Sequence, residues 1–173
     1  MSPWRLSHRA DPEARVLADR HYSRQSIGAA QFVPPGRCLV LKCDGAYWVT
    51  SWPFAEWVKH KWGGAWMCSA FRREPSCVYL ASDLITAAIA ATVYVMGTPP
   101  DLGMVTFVDA AKVRHKRDPG RCFVRAGFVR CGETAGGLVA LQLLPDAMPE
   151  PEAPLPFSAN AQMALDLVEG GIR

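Results

Sequence analysis

Short apolar runs alternate with polar turns over the first 144 residues, and this pattern predicts a succession of short strands and helices. Asp11-Pro12-Glu13 should begin the first helix, because it offers a capping carboxylate, a proline at the first position and an acid in the first turn. We expect this helix to end near Arg20. The polar run 21–24 follows at the start of a loop, where polar aromatic residues are typical of functional sites. The alternative is that His21 and Tyr22 only cap the helix and pack the loop.

A tight hairpin is predicted next, because the strand-like runs 38–42 and 46–52 flank Asp44-Gly45. Alternation should place Trp48 and Trp52 on one face and Tyr47, Val49 and Ser51 on the other. The loop 53–64 then alternates basic and aromatic residues, as Trp57-Val58-Lys59-His60-Lys61-Trp62. Such a loop suits stacking on nucleic-acid bases together with contacts to phosphates. The alternative places its tryptophans in the core or at the rim of the hairpin.

The run 65–71 has the composition of a central strand, which Arg72-Arg73-Glu74-Pro75 ends. Ser82-Asp83 is a natural N-cap for a helix over 84–94. A strand that feeds a helix through a short loop offers an anion the free N–H groups and the positive dipole end of the helix. Arg72 and Arg73 stand beside that position, which favours the binding of an anion.

Residues 103–144 give the clearest prediction of the chain, which is a strand, a loop, a short helix and a hairpin. The strand 104–108 ends on Asp109, and a carboxylate at the end of a strand is well placed for a functional site. Asp118 and Pro119 should start the short helix and Gly127 should end it. Gly136-Gly137 should turn the hairpin between strands 128–130 and 138–144. The segment 112–121 favours an anionic partner, because it contains Lys112, Arg114, Lys116, Arg117 and Arg121 against one acid.

Beyond residue 144 the composition changes, with prolines at 145, 149, 151, 154 and 156 spaced among acidic residues. We therefore expect a body over 1–144, a Pro-rich linker over 145–157 and a helical tail over 158–173 that Ser158 caps. The body carries 18 Lys and Arg residues against 11 acids, a charge of +7, while residues 145–173 carry −4. Such a basic body favours a polyanionic partner.

The composition is that of a globular protein, because half of the 173 residues are hydrophobic. The chain has no apolar run of roughly 18 residues and no apolar leader, so we expect a cytoplasmic protein without a membrane partner. The six cysteines lie mostly in predicted strands and one helix, and none forms a C-x-x-C pair. Free thiols are therefore favoured over disulfides.

The predicted order of elements is helix, polar loop, hairpin, strand, loop and helix, strand, short helix and terminal hairpin. This order resembles the GNAT superfamily of N-acetyltransferases. The resemblance implies an α/β fold with a mixed, mostly antiparallel central sheet flanked by helices. It also implies an acetyl-CoA or related acyl-donor site at Phe71, Arg72, Arg73, Ser82 and Asp83. The chain departs from the superfamily here, since residues 73–81 contain no glycine where its phosphate signature, Q/R-x-x-G-x-G/A, has one or two.

A narrower resemblance covers about residues 14–143. Its motifs are, in order, His21-Tyr22-Ser23, Gln31-Phe32-Val33-Pro34-Pro35-Gly36, Phe71-Arg72-Arg73-Glu74, Ser82-Asp83-Leu84-Ile85, Phe107-Val108-Asp109 and Pro119-Gly120-x-Cys122-Phe123-x-x-Ala126-Gly127-Phe128. This set resembles the Mom family of bacteriophage DNA-modification proteins, which are divergent members of the GNAT superfamily. The resemblance implies a transferase that adds a carbamoylmethyl (acetamido) group to adenine N6 in DNA and so protects phage DNA from restriction. It also implies that the protein acts in the cytoplasm of a bacterial host cell.

Such a reaction needs a base for the proton of the amine, an extruded and stacked adenine, and stabilisation of the developing charge. The residues that we assign to catalysis are His21, Tyr22, Ser23, Ser82 and Asp109, with Arg72 holding an anion. Double-stranded DNA is expected to contact Lys59, Lys61, Lys112, Arg114, Lys116, Arg117 and Arg121. The Mom resemblance also implies iron as a further cofactor, with His21 and Asp109 as its ligands and Tyr22 as a third candidate ligand.

Three classes of function stay open from the sequence. They are a DNA-base modification transferase, an acyl-CoA-dependent N-acetyltransferase acting on a small amine, a modified base or a protein lysine, and a non-catalytic nucleic-acid-binding protein. The missing glycines disfavour the second class, and the polar residues expected around Asp109 disfavour the third. The donor, the target base, the metal and the oligomeric state, a homodimer included, also stay open.

Overall fold

A computed structural model of the chain describes residues 1–113 and 118–157. The elements of this part are, in chain order, β1 (Arg5–Ser7), α1 (Pro12–Asp19), β2 (Arg37–Cys43), β3 (Ala46–Trp52), β4 (Trp66–Arg73), α2 (Ala81–Met96), β5 (Met104–Val108), α3 (Arg121–Arg125), β6 (Val129–Glu133) and β7 (Val139–Leu143), with 3₁₀ turns at Ala55–Trp57 and Pro145–Ala147. The seven strands form one sheet in the order β1-β2-β3-β4-β5-β7-β6, which the helices flank. The predicted α/β class is confirmed.

Neighbouring strands of the sheet are antiparallel except β4 and β5, which run parallel. Their pairing covers only Trp66 with Met104 and Met67 with Val105. The later parts of the two strands, 68–73 and 106–108, are not paired to each other, so the sheet opens between them. The mixed, mostly antiparallel sheet agrees with the prediction, and its opening is where the candidate site lies.

Both faces of the sheet are covered by helices. On one face, Trp48 is fully buried in a cluster with Ile85 and Ile89 of α2 and with residues of α3. On the opposite face, Tyr47 and Val49 pack with the buried alanines of α1. The predicted division of the hairpin into a Trp48 face and a Tyr47 face is therefore confirmed.

The first helix starts at the predicted position. The carboxylate of Asp11 accepts hydrogen bonds from the backbone N–H groups of Glu13 at 2.9 Å and Ala14 at 3.1 Å. Lys42 on β2 holds the same carboxylate at 2.8 Å, and the Ser7 hydroxyl donates to it at 2.7 Å. Burial alone would raise the pKa of Asp11, but the hydrogen bonds from Lys42, Ser7 and the Ala14 backbone, together with the charge of Lys42, outweigh burial and lower it.

The start of α2 differs from the predicted one. The helix begins at Ala81 with Leu80 as its N-cap residue, because the N–H of Leu84 already bonds to the Leu80 carbonyl at 3.0 Å. Ser82 therefore lies inside the first turn and does not cap the helix. No side chain caps α2 at Leu80, so the first N–H groups of this helix keep their capacity to donate to a ligand.

The start of α3 also differs. Its N-cap residue is Gly120, at φ +84°, and not Asp118 as predicted. A Cβ atom at Gly120 would lie 3.0 Å from Cδ1 of Leu141 on β7, so a glycine permits both the left-handed backbone and the close approach of α3 to the sheet. Asp118 instead forms an ion pair with Arg130 on β6.

The predicted Pro-rich linker lies against the body. The N–H of Leu155 donates to the Trp4 carbonyl at 2.8 Å, and the N–H of Leu6 donates to the Leu155 carbonyl at 2.8 Å. The N–H of Glu152 reaches the Ala90 carbonyl of α2 at 3.2 Å. The segment 145–157 is thus a strap along β1 and α2 rather than a free linker. The predicted tail over 158–173 lies outside the described residues.

All six cysteines are free, as predicted, with Cys68 and Cys77 buried and the other four half-buried. Within the described ranges, the helices are too short or too polar to cross a membrane.

Candidate functional site

A cleft with two lobes lies where β4 and β5 separate. The first lobe, about 540 Å³, reaches toward α2 and α3 and is lined in part by Arg72, Ala81 and Phe123. The second lobe, about 810 Å³, is larger and reaches toward the loop before β2 and the start of β7. Residues common to both lobes are His21, Tyr22, Ser23, Cys68, Ser69, Ala70, Phe107 and Lys112. The two lobes therefore meet along one wall, and molecules bound in them would face each other.

The polar cluster predicted after the first helix stands on this shared wall. Nδ1 of His21 accepts a hydrogen bond from the backbone N–H of Ser23 at 3.2 Å and lies 2.7 Å from the Ser23 hydroxyl. Because a backbone N–H can only donate, Nδ1 of the neutral ring is unprotonated and the ring proton lies on Nε2. The rings of His21 and Tyr22 are stacked with centroids 4.6 Å apart. His21 is thus held in one orientation and one tautomer.

Tyr22 connects this cluster to the end of β5. Its hydroxyl oxygen accepts a weak hydrogen bond from the backbone N–H of Asp109 at 3.5 Å. Burial raises the pKa of Tyr22 above its usual value, and the negative charge of Asp109 acts in the same direction. Tyr22 is therefore protonated at neutral pH and can donate its hydroxyl proton to a ligand.

Asp109 lines the second lobe together with His21 and Tyr22. Its Oδ1 atom accepts the N–H groups of Ala111 at 3.1 Å and Lys112 at 3.2 Å, and so closes the turn after β5. Its Oδ2 atom lies 3.9 Å from Nζ of Lys112. One oxygen of this carboxylate thus holds the backbone, and the other is directed to a cation on the wall of the cleft.

The second lobe also has apolar walls that suit a flat ring. Phe32, Pro34 and Pro35 line it from the loop before β2, and Phe107 and Tyr47 line it from the sheet. An aromatic base could stack on such walls while polar groups contact its edge.

The two arginines predicted to hold an anion already donate hydrogen bonds to other groups of the protein. Arg72 donates from Nε to Glu74 at 2.9 Å and from Nη1 to the Arg20 carbonyl at 2.6 Å. Arg73 donates to the carbonyls of Tyr79 at 2.6 Å and Cys77 at 2.7 Å. The Arg72 guanidinium also lowers the pKa of Glu74. These contacts brace the loop 74–80, so an anion would have to share the two guanidinium groups with it.

The N-terminus of α2 contributes to the first lobe through Ala81, rather than through the predicted Ser82 and Asp83. The Ser82 hydroxyl donates instead to the Asp83 carboxylate at 3.4 Å. Asp83 is exposed, and its charge disfavours an anion at this helix end. Phe71, the remaining residue predicted to hold the donor, does line the first lobe.

The basic residues predicted to contact DNA are divided over the surface. Lys112 lines both lobes. Lys59 and Lys61 are exposed in the loop before β4, and Arg121 is exposed at the start of α3. Arg114, Lys116 and Arg117 lie outside the described residues.

Comparison of the chain with protein-family models, with characterised proteins and with solved structures found no match. Function is therefore inferred from the cleft and its residues.

The pair predicted as metal ligands, His21 and Asp109, lies on the wall of the second lobe. In residues 1–113 and 118–157, no three His, Cys, Asp or Glu side chains come together as a metal-binding group. Tyr22 on the same wall would supply a third donor atom beside this pair, and iron stays a prediction.

Sequence reasoning passed over Phe107 as a site residue in its own right. This side chain lies on the wall of both lobes. The centroid of its ring lies 4.8 Å from that of His60 and 5.7 Å from that of Trp62. It is half-buried in a strand that is otherwise buried. An aromatic residue two positions before the carboxylate at the strand end was the available signal, but an apolar pattern does not distinguish a core side chain from a cleft wall.

Proposed function

We propose that this protein is a GNAT-like, Mom-like transferase that modifies DNA bases. Its most specific form is the addition of a carbamoylmethyl (acetamido) group to adenine N6, which would protect bacteriophage DNA from restriction. The observation that carries the proposal is the two-lobed cleft at the opening of β4 and β5, with Tyr22 on the wall that both lobes share.

The division of the cleft suits a group transfer between two bound molecules. The second lobe offers a stacking surface to an extruded base, and the first lobe lies beside the uncapped start of α2, where an acyl donor's phosphates would find N–H donors. The loop 74–81 lacks the glycines of the superfamily, so the backbone would approach such phosphates less closely. The proposal is therefore less specific about the donor than about the base.

The polar residues fit the needs of an exocyclic amine. When the N6–CH2 bond forms, the bond between that carbon and the donor breaks and its electron pair leaves with the donor. The amine loses one proton in the same reaction, and a carboxylate or an imidazole must take it. Asp109 and His21 line the lobe in which the base would lie, and the protonated Tyr22 can donate a hydrogen bond to developing negative charge. Ser23 fixes the His21 ring, which makes it a positioning residue.

A second candidate is an acyl-CoA-dependent N-acetyltransferase that acts on a small amine, a modified base or a protein lysine. The specific observation in its favour is the first lobe, which lies against the start of α2 and could hold an acyl donor. This argument does not depend on which acceptor occupies the second lobe. The apolar walls around Phe32 and Phe107 favour a flat ring over a flexible lysine.

Restriction digestion tests the proposal against this alternative. Plasmid DNA from cells expressing the protein should resist enzymes whose recognition sites contain adenine, while DNA from cells carrying the empty vector is cut. Fully cleavable DNA, together with transfer of label from acyl-CoA to a lysine peptide or a small amine, would contradict the proposal and support the alternative.

A further inference from the structure

The loop 53–64, called the Trp57 loop below, divides its aromatic side chains between the core and the solvent. Trp62 is 5% exposed and packs against Val105 of β5 in a small apolar cluster. Phe54 and Trp57, by contrast, are 74% and 76% exposed. The indole N–H of Trp57 donates only to the carboxylate of its neighbour Glu56, at 3.2 Å, among the contacts of the described residues. Two large apolar side chains exposed three residues apart in one short loop mark a contact surface.

This surface lies next to the cleft. The ring centroids of His60, in the same loop, and Phe107 are 4.8 Å apart, and Phe107 lines both lobes. Trp57 precedes His60 by three residues, so their Cα atoms are at most about 11 Å apart. That distance is on the order of three base-pair steps along DNA. The exposed aromatic pair is thus close enough to contact the neighbours of a base that enters the second lobe.

Exposed cations lie in the same loop as the aromatic pair and on the adjoining hairpin. Lys59 and Lys61 are exposed in the loop itself, and Glu56 is the single acid in residues 53–64. Arg37, opposite Trp52 in the hairpin, is also exposed and places its guanidinium 5.3 Å from the Trp52 ring centroid. Three cations against one carboxylate match the charge of a nucleic-acid backbone.

We propose that Phe54 and Trp57 form a wedge that enters the base stack of duplex DNA beside the base held in the second lobe. This inference rests on the proposed function and adds a contact that holds the duplex open. Lys59, Lys61 and Arg37 contact the phosphates on either side of the wedge. Aromatic faces stack on any base, so the wedge lowers the cost of extruding the target without selecting a sequence.

Tryptophan emission provides a direct test on the full chain. Of the six tryptophans, three are fully buried, Trp62 is 5% exposed and Trp52 is half-buried, so Trp57 dominates quenching by acrylamide. A duplex oligonucleotide should protect this emission from acrylamide. The same duplex with 2-aminopurine at the target adenine should brighten as that base leaves the stack.

Trp57→Ala should weaken binding of the duplex by about tenfold, the typical loss for one base stack, and abolish the brightening. The slope of affinity against salt should not change, because no phosphate contact is removed. Trp57→Phe should restore most of the affinity, since it keeps an aromatic face. Tyr94→Ala, at an exposed aromatic on α2 outside both lobes, is the matched control and should behave as wild type.

Three outcomes would overturn the wedge. Wild-type protein that binds and modifies duplex DNA while Trp57 stays quenchable would refute the wedge and leave the proposed function intact. Equal affinity of wild type and Trp57→Ala, with the variant folded as judged by its melting curve, would do the same. Wild-type protein with no affinity for any duplex would refute the proposed function and the wedge together.

Discussion

Asp109→Asn separates a chemical role of this carboxylate from a structural one. The substitution keeps an oxygen that can accept the N–H groups of Ala111 and Lys112, now at 3.1 and 3.2 Å, and removes only the charge. Hydrogen bonds to a charged acceptor exceed those to a neutral one by about 1 kcal/mol, so the two turn bonds together lose about 2 kcal/mol. Loss of the exposed ion pair with Lys112 adds at most about 1 kcal/mol. The side chain is 24% exposed, which reduces this loss further.

Melting curves should therefore show a small decrease, about 2–4 °C for each kcal/mol in a chain of this length. Activity should fall by at least roughly 100-fold, the lower end for loss of a general base. Asp101→Asn, at an exposed carboxylate in the loop before β5, is the matched control and should change neither quantity.

The assay pairs a thermal melt with quantification of modified nucleosides in DNA from cells that express each variant. Full modification by Asp109→Asn with a lowered melting temperature would mean that Asp109 only closes the turn, and would refute its assignment as a base. His21→Ala, measured in the same way, tests the second candidate for proton transfer.

Three further predictions concern binding and stability. Neutralising Lys59 and Lys61 together should reduce the slope of log affinity for the duplex against log salt concentration by about 0.9 for each lost phosphate contact. Fluorescence titrations at several salt concentrations measure this slope, and an unchanged slope would mean that both side chains contact only solvent. Thr50→Val should lower the free energy of unfolding by about 1–3 kcal/mol, because it leaves the buried indole N–H of Trp48 without the acceptor it has at 2.7 Å, while the Thr92 hydroxyl keeps its bond to the Ala88 carbonyl. Denaturant unfolding would measure this loss, and a value below about 1 kcal/mol would contradict it. The pKa of Asp11 is lowered by folding, so its carboxylate stabilises the protein above its unfolded pKa of about 4 and loses that contribution as the pH falls toward the lower folded value. Asp11→Asn should therefore lower stability at pH 7 and reduce its loss on acidification, and parallel stability-against-pH curves for the two proteins would count against this linkage.

Local sequence chemistry was sufficient for the elements with strong turn or cap signals. Asp11 and Pro12 located α1, and Asp44-Gly45 located the hairpin, because each of these residues acts on its immediate backbone. The start of α3 was predicted wrongly. The need for a glycine at position 120 arises from close packing against Leu141, which is distant in the sequence. The three-residue strand β1 escaped prediction because it is too short to show a period.

Some of the side chains that line the cleft were predictable from the sequence, but the form of the cleft was not. His21, Tyr22 and Asp109 carry chemistry that sequence can recognise, and all three line the second lobe. The opening itself depends on how far β4 and β5 pair, which is a property of tertiary packing. The same holds for Arg72 and Arg73, whose contacts with the loop 74–80 decide how much of their charge is available.

The central claim is that the cleft modifies a base in DNA, and mass spectrometry of nucleosides tests it most directly. DNA from cells expressing the protein is digested to nucleosides and compared with DNA from cells that express Asp109→Asn. The account predicts a deoxyadenosine heavier by one carbamoylmethyl group in the first sample and its near absence in the second. Identical nucleosides in host, plasmid and phage DNA, with the protein expressed and folded, would contradict it.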